Sequence, residues 1–223
     1  MRVIIGAAVS FALIFLAQPV TAVSHESSSV KRILVLGDSL SAGFGLRPNQ
    51  AYPALLTERL RAADLSFEII NASQSGGTTE GGLQRLPAHL KRKIDIFILE
   101  LGINDAFRGV PIAEIRNNLK AIIDQVKTRY PNVRIIIAGM QLPKYAEDEY
   151  VFAFGQIYAD LAAKNNAALI PYLLEGVGGD PLLNQPDRVH PNAAGQKILA
   201  DNVWRVLETI ARETATESPA RVQ

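Results

Sequence analysis

Five short apolar runs, Ile33–Leu36, Phe67–Ile70, Ile94–Leu101, Val133–Gly139 and Ala168–Pro171, punctuate the chain. They are rich in Ile, Val and Leu and do not alternate with polar residues, which is the pattern of strands buried on both faces. Helical patterns lie between them at about 51–63, 79–92, 112–129 and 150–165, and a last one follows at about 191–211. A strand–helix repeat of this kind leaves few options, because each crossover must return over the sheet to add the next parallel strand. The expected fold class is α/β, a five-stranded parallel sheet in a three-layer α/β/α domain.

The 223 residues suffice for one domain with a sizeable core and are short for two. Residues 1–22 are set apart: Arg2 is followed by Val3–Ala17 without a charge, then Pro19, then Val20-Thr21-Ala22. That is the layout of a secretory signal cleaved after Ala22, with periplasmic or secreted localisation. The competing reading is an uncleaved anchor helix, since the uncharged stretch continues to Ser24; the short apolar region and small-residue exit favour cleavage. The single domain is expected over 32–211, with polar, loose segments at 23–31 and 212–223. Without residues 1–22 the basic and acidic counts are equal at 22 each, which gives no reason to expect nucleic acid or an anionic membrane as partner. The basic cluster Lys91-Arg92-Lys93 reads as the solvated end of a helix. With no cysteine there is no disulfide framework, thiol nucleophile or thiolate metal site.

The loops after the predicted strands carry the chemistry. Gly37-Asp38-Ser39-Leu40-Ser41 follows the first strand, Gly76 the second and Gly102-Ile103-Asn104-Asp105 the third, while Asp187-Arg188-Val189-His190 lies after the fifth. In an open parallel sheet these loops all emerge at the carboxyl edge, where such folds bind ligands. Residues more than 150 positions apart can therefore meet there. A serine hydroxyl is a weak nucleophile and needs a base within hydrogen-bond reach, itself oriented by a third group. Of the three histidines, His25 is near the N-terminus and His89 sits in a helix beside Leu90 and Lys91; only His190 has a carboxylate, Asp187, at a useful spacing. Pro191 suits the first position of the last helix. Asp38 is a poor choice for orienting His190, since consecutive side chains diverge, and it is assigned to holding the loop. Asp105 and Asn71, at strand ends, are expected to satisfy backbone groups.

The four blocks around Ser39, Gly76, Asn104 and His190, in that order, resemble the SGNH (GDSL-type) hydrolase family, and in particular its secreted bacterial arylesterases and acyl-CoA thioesterase/lysophospholipases. The resemblance runs from about Arg32 to Trp204. It implies the flavodoxin-like variant of the fold and a serine esterase acting on carboxylic esters and thioesters through an acyl-serine intermediate. Ser39, Asp187 and His190 are the implied catalytic residues. The backbone N–H groups of Ser39 and Gly76 and the side-chain amide of Asn104 are the implied oxyanion donors, where the loss of one donor costs about 2.7–4 kcal/mol in activation free energy. Alone, Gly76-Gly77 would read as a turn and Asn104 as a helix cap. There is no Gly-x-Ser-x-Gly elbow, and the serine precedes the acid and base, which separates this plan from the α/β-hydrolases.

Neither a dinucleotide fingerprint nor a phosphate loop is present, despite Gly43-Phe44-Gly45, and no metal-ligand spacing appears. No cofactor and no metal are expected; the partner is a small-molecule or lipid ester. The loop Gly139-Met140-Gln141-Leu142-Pro143 should border the same edge, with Phe107, Tyr145, Phe152 and Phe154 available either to line an acyl site or as helix-to-sheet core. Three departures from the family pattern limit the transfer of specificity: Ile103 for a glycine, Gly77 for an aspartate, and Pro143-Lys144-Tyr145-Ala146 for a Pro-Pro-Asn-Tyr-Gly-like loop. Two other readings remain at this point, a carbohydrate O-acetylesterase of the same family and a non-catalytic ligand-binding module on the same scaffold.

Overall fold

A computed structural model describes residues 30–143 and 149–217. The expected strands appear as β1 (Lys31–Leu36), β2 (Phe67–Asn71), β3 (Ile96–Leu99), β4 (Arg134–Ala138) and β5 (Ala168–Ile170). All pair in parallel, in the order β2-β1-β3-β4-β5. The central strands are sealed on both faces, with Ile33–Leu36 and Ile96–Ile98 at 0% exposure, so the lack of alternation has the cause expected of it. Each such side chain contributes about 1.5–3 kcal/mol through burial.

The helices are α1 (Ser39–Ala42), α2 (Tyr52–Ala62), α3 (Thr79–His89), α4 (Ile103–Phe107), α5 (Ile112–Arg129), α6 (Glu149–Asn165) and α7 (Ala193–Thr216). Strand order runs outward from β1 to β2 and then reverses through β3, β4 and β5. With right-handed crossovers that reversal puts α2 on one face and α3, α5 and α6 on the other, while α7, after the last strand, returns to the α2 face. The packing agrees: α2 lies against α7, while α5 lies between α3 and α6.

The ends of some elements differ from the pattern-based expectation. Strand β3 is shorter than the apolar run, at Ile96–Leu99, although the Asp95 and Glu100 N–H groups on either side of it still donate to the Arg32 and Leu36 carbonyls. Helix α3 ends at His89, so the 91–93 basic cluster lies beyond it; Arg92 pairs with Glu68 and Lys93 with Asp95. Pro191 is not the first residue of the last helix. The Asn192 side chain caps α7 by accepting from the Ala194 and Gly195 N–H groups, which moves the start to Ala193, and the helix continues to Thr216. The proposed signal segment and His25 lie outside the described residues.

The reversal of strand order falls between β1 and β3, the crevice in which doubly wound sheets of this order bind ligands. Ser39 follows β1 and Asn104 follows β3, one on each side of that crevice.

Candidate active site

Ser39 opens α1 immediately after the buried strand β1. Asp38 caps this single turn, accepting from the Leu40 N–H at 2.9 Å, and Gly43 ends it in the left-handed conformation. As the first helical residue, Ser39 has a backbone N–H without an intrahelical partner. Its side chain is nearly buried, at 8% exposure, and its Oγ lies 3.0 Å from His190 Nε2.

His190 comes from a tightly tied loop. Its carbonyl accepts from the Gln185 N–H, Asn184 bridges Pro191, and the Asn192 N–H donates to the Leu183 carbonyl. Within that loop one Asp187 carboxylate oxygen accepts the Val189 and His190 N–H groups at 2.9 and 3.0 Å, and the other lies 2.7 Å from His190 Nδ1. The three-residue spacing thus does what the sequence suggested. Arg188 bridges the turn at a left-handed φ of 59°, a conformation that costs a non-glycine residue about 1–3 kcal/mol and is retained where surrounding contacts over-determine it.

The His190 backbone and ring N–H groups, then the Val189 N–H, hold the Asp187 carboxyl down at about 2. It is therefore ionised at neutral pH, and its best partner at Nδ1 is an N–H. That leaves the Nε2 lone pair facing the serine hydroxyl, the tautomer a general base requires. The Phe44 ring packs on the imidazole with centroids 4.6 Å apart, a contact the glycine-flanked sequence gave no reason to expect.

Asn104, in the first turn of α4, lies on the opposite side of the crevice. Its amide donates to Asp38 Oδ2 at 2.9 Å and to the Gly77 carbonyl at 3.1 Å, so both of its hydrogens have protein acceptors. An oxyanion taking a hydrogen from this amide would compete with the Gly77 carbonyl. Gly76 lies next to that carbonyl; its own carbonyl accepts from Arg108, and among the described residues none accepts its N–H. Asp38 is completely buried and holds the loop as expected; burial pushes its carboxyl up to about 6, against the hydrogen bond from Leu40. Asp105 and Asn71 also satisfy local groups: Asp105 accepts the Thr79 N–H and hydroxyl, and Asn71 donates to the Ser41 carbonyl.

Glu100 escaped the motif reading. This fully buried carboxylate at the end of β3 accepts the Asp38 N–H and the Ser41 hydroxyl. The available signal was a charged residue within an otherwise apolar run. Of the aromatics, Phe154 is core, edge-on to Tyr158, while Phe152 and Phe107 are exposed at 70% and 59%; Tyr145 lies outside the described residues. A cavity of about 320 Å³ opens at the other edge of the sheet, where Lys127, Asn132, Arg134 and Asn165 line it; it holds no nucleophile or base arrangement. Among the described residues no three or more His, Asp or Glu side chains are grouped so as to hold a metal ion.

A doubly wound sheet with a hydroxyl, an imidazole and a carboxylate joined in series at its switch point defines the class of serine hydrolases. Residues 35–198 match the model of the GDSL-like Lipase/Acylhydrolase family, and the chain belongs to that family, as a serine ester hydrolase of the SGNH type. It is 39% identical to Esterase TesA of Pseudomonas aeruginosa over 186 residues, covering 83% of this chain and 92% of that one. To Thioesterase 1/protease 1/lysophospholipase L1 of Escherichia coli K12 it is 34% identical over 188 residues, covering 84% and 88%. A crystal structure of TesA superposes with a TM-score of 0.77, covering 81% of this chain and 99% of that one at 39% identity. The psychrotrophic esterase EstA of Pseudoalteromonas gives 0.75 at 29% identity, covering 80% and 97%. The family and fold expected from the four motif blocks are thereby borne out. No described helix is long and apolar enough to cross a membrane.

Proposed function

We propose that Ser39 is the nucleophile, His190 the general base and Asp187 its orienting carboxylate, in the hydrolysis of carboxylic esters and thioesters, lysophospholipids among them. The observation that carries this reading is the series Asp187–His190–Ser39, with contacts of 2.7 and 3.0 Å. The ester carbonyl carbon is attacked by Ser39 Oγ as its proton passes to His190 Nε2. The resulting oxyanion takes hydrogens from the Ser39 and Gly76 N–H groups and, in place of the Gly77 carbonyl, from Asn104. Collapse breaks the bond to the leaving alcohol or thiol, which receives the proton from Nε2. His190 Nε2 then takes a proton from water as its oxygen attacks the acyl carbon, and returns that proton to Ser39 Oγ as the acyl–oxygen bond breaks and the acid leaves. Asp187 keeps its hydrogen bond to Nδ1 throughout and offsets the imidazolium charge.

The substrate range rests on the relatives, which include an esterase, a thioesterase/lysophospholipase and an arylesterase. We further propose that residues 1–22 are a signal cleaved after Ala22, that the domain expected over 32–211, widened by β1 and α7 to Lys31 and Thr216, is the single catalytic domain, and that the enzyme works in the periplasm or outside the cell. The test is hydrolysis of p-nitrophenyl esters from acetyl to palmitoyl by the chain lacking residues 1–22, beside its Ser39→Ala variant. Activity lost in the variant supports the assignment, and the chain-length optimum defines the substrate class. Undiminished cleavage by Ser39→Ala overturns it.

A further inference from the structure

The carboxyl of Glu100 lies behind the nucleophile turn rather than in the crevice. Its Oε2 accepts the Asp38 N–H at 3.0 Å and the Ser41 hydroxyl at 2.7 Å, and Tyr52 Oη lies 2.7 Å from the same Ser41 oxygen. A hydrogen-bond chain therefore runs from Tyr52 on α2 through Ser41 to Glu100, just after β3. It holds the residues on both sides of Ser39. The Glu100 backbone is fixed too, since its N–H donates to the Leu36 carbonyl. Gly37 leaves the space: a Cβ there would sit 2.5 Å from both Glu100 Oε2 and Ser41 Oγ.

Glu100 has no contact with solvent, and its Oε1 is buried with no hydrogen-bond partner. An ionised carboxyl here would leave one oxygen unsatisfied in a medium where that is costly, beside a second acid, Asp38. The groups facing it are Asp38 on the loop, Ser41 on α1, Tyr52 on α2, Arg85 on α3 and Tyr158 on α6. Arg85 directs its guanidinium to the Gly37 carbonyl. Asp38 has the better anion site, with the Leu40 N–H and the Asn104 amide on its two oxygens. Burial first, and Asp38 second, push the Glu100 carboxyl well above the usual range.

We infer that Glu100 is a positioning residue, a neutral carboxyl that pins residues 38–41 so that Ser39 Oγ is held against His190 Nε2. The inference rests on the assignment of Ser39 as nucleophile. It acts on the rate of the chemical step, because residues 38 and 41 bracket the reacting oxygen and a misplacement of about 1 Å can cost on the order of 100-fold.

The experiment measures kcat and KM on p-nitrophenyl butyrate, the rate of labelling by a fluorophosphonate, and thermal melting for Glu100→Leu, Glu100→Gln and Ser41→Ala in the full chain. Folded Glu100→Leu is expected to lose roughly 10- to 100-fold in kcat and in labelling rate with KM unchanged. Glutamine, a neutral isostere that still accepts both hydrogen bonds, is expected to restore kcat to within about threefold of the parent. Ser41→Ala is expected to lose several-fold in kcat. A folded Glu100→Leu with parental kcat overturns the inference, as does Glu100→Gln as slow as Glu100→Leu, which would mean that the negative charge is required. If Glu100→Leu does not fold, the other two decide: a parental kcat in Ser41→Ala overturns the inference, while slowing confined to Ser41→Ala supports it. Activity retained by Ser39→Ala would instead refute the nucleophile assignment, whatever the Glu100 variants do.

Discussion

Replacing Asp187 by asparagine should remove the base without disturbing its loop. The side chain has two tasks on separate oxygens: one accepts the Val189 and His190 N–H groups, the other faces His190 Nδ1 at 2.7 Å. Asparagine can keep its carbonyl on the two backbone groups, so its amide faces Nδ1. A donor there favours the tautomer with Nδ1 bare and Nε2 protonated, and Nε2 then donates to Ser39 Oγ instead of accepting from it. Returning to the productive tautomer sacrifices the neutral hydrogen bond at Nδ1, about 0.5–1.5 kcal/mol, and sets two N–H groups face to face, about 1–3 kcal/mol more. The imidazolium formed during attack also lacks its counter-charge. Together these are about 4–5.5 kcal/mol, or 10³- to 10⁴-fold in kcat, the range seen for misoriented triad histidines. Because the Asp187 carboxyl is held at about 2, its own ionisation does not change between about pH 6 and 9 and contributes no pH dependence to the deficit there. Steady-state kinetics on p-nitrophenyl butyrate, with thermal melting as the control for folding, make the measurement. A folded Asp187→Asn enzyme within about tenfold of the parental kcat would refute the reasoning.

Asp38 should make the fold less stable as pH rises from about 4 to 6: its carboxyl is raised from 3.8 to about 6 by burial, so in that window the folded chain binds a proton that the unfolded chain has lost. The expected effect is on the order of 2–3 kcal/mol in urea denaturation, read as the difference between the parent and Asp38→Asn, in which the raised Glu100 keeps its own share; equal slopes in the two proteins would disprove it. Asp38→Asn should also slow kcat, because its amide would face the Asn104 amide that Asp38 now accepts. Gly102→Ala should destabilise by about 2–4 kcal/mol, since Gly102 has φ 121° and a Cβ there would lie 2.5 Å from Tyr158 Oη. Adding Tyr158→Phe should recover part of that loss, and strict additivity in the double variant would show that the clash is not its source. Phe97→Ala, at a fully buried position in β3, should cost about 3–5 kcal/mol in the same denaturation assay, and a loss below about 1 kcal/mol would mean that the core collapses into the space.

The strands were legible because burial on both faces leaves its mark on every residue of a run, and the long helices because one face must stay apolar. Short elements left no such mark. Helices α1 and α4 have four and five residues, too few to display a period, and depend on the Asp38 cap and the Gly102 turn. Phe152 and Phe154 read alike in sequence, yet two helical steps turn them about 200° apart, one into solvent and one into the core. Ser39, Asp187 and His190 could be named in advance because chemistry restricts the choice and because one histidine had a carboxylate three residues away.

Sequence alone determined the α/β class, the loops that carry polar groups, and the local Asp187–His190 pair, since each depends on neighbours within a few residues. The tertiary structure decided that His190 meets Ser39, 151 residues away, that both Asn104 hydrogens are already held, and that Glu100 turns inward beneath Ser39. Those outcomes depend on which strands lie side by side and on what seals them from water. A carboxylate at the end of a strand is solvated or buried according to what packs against it, and that is decided by residues far away in the chain.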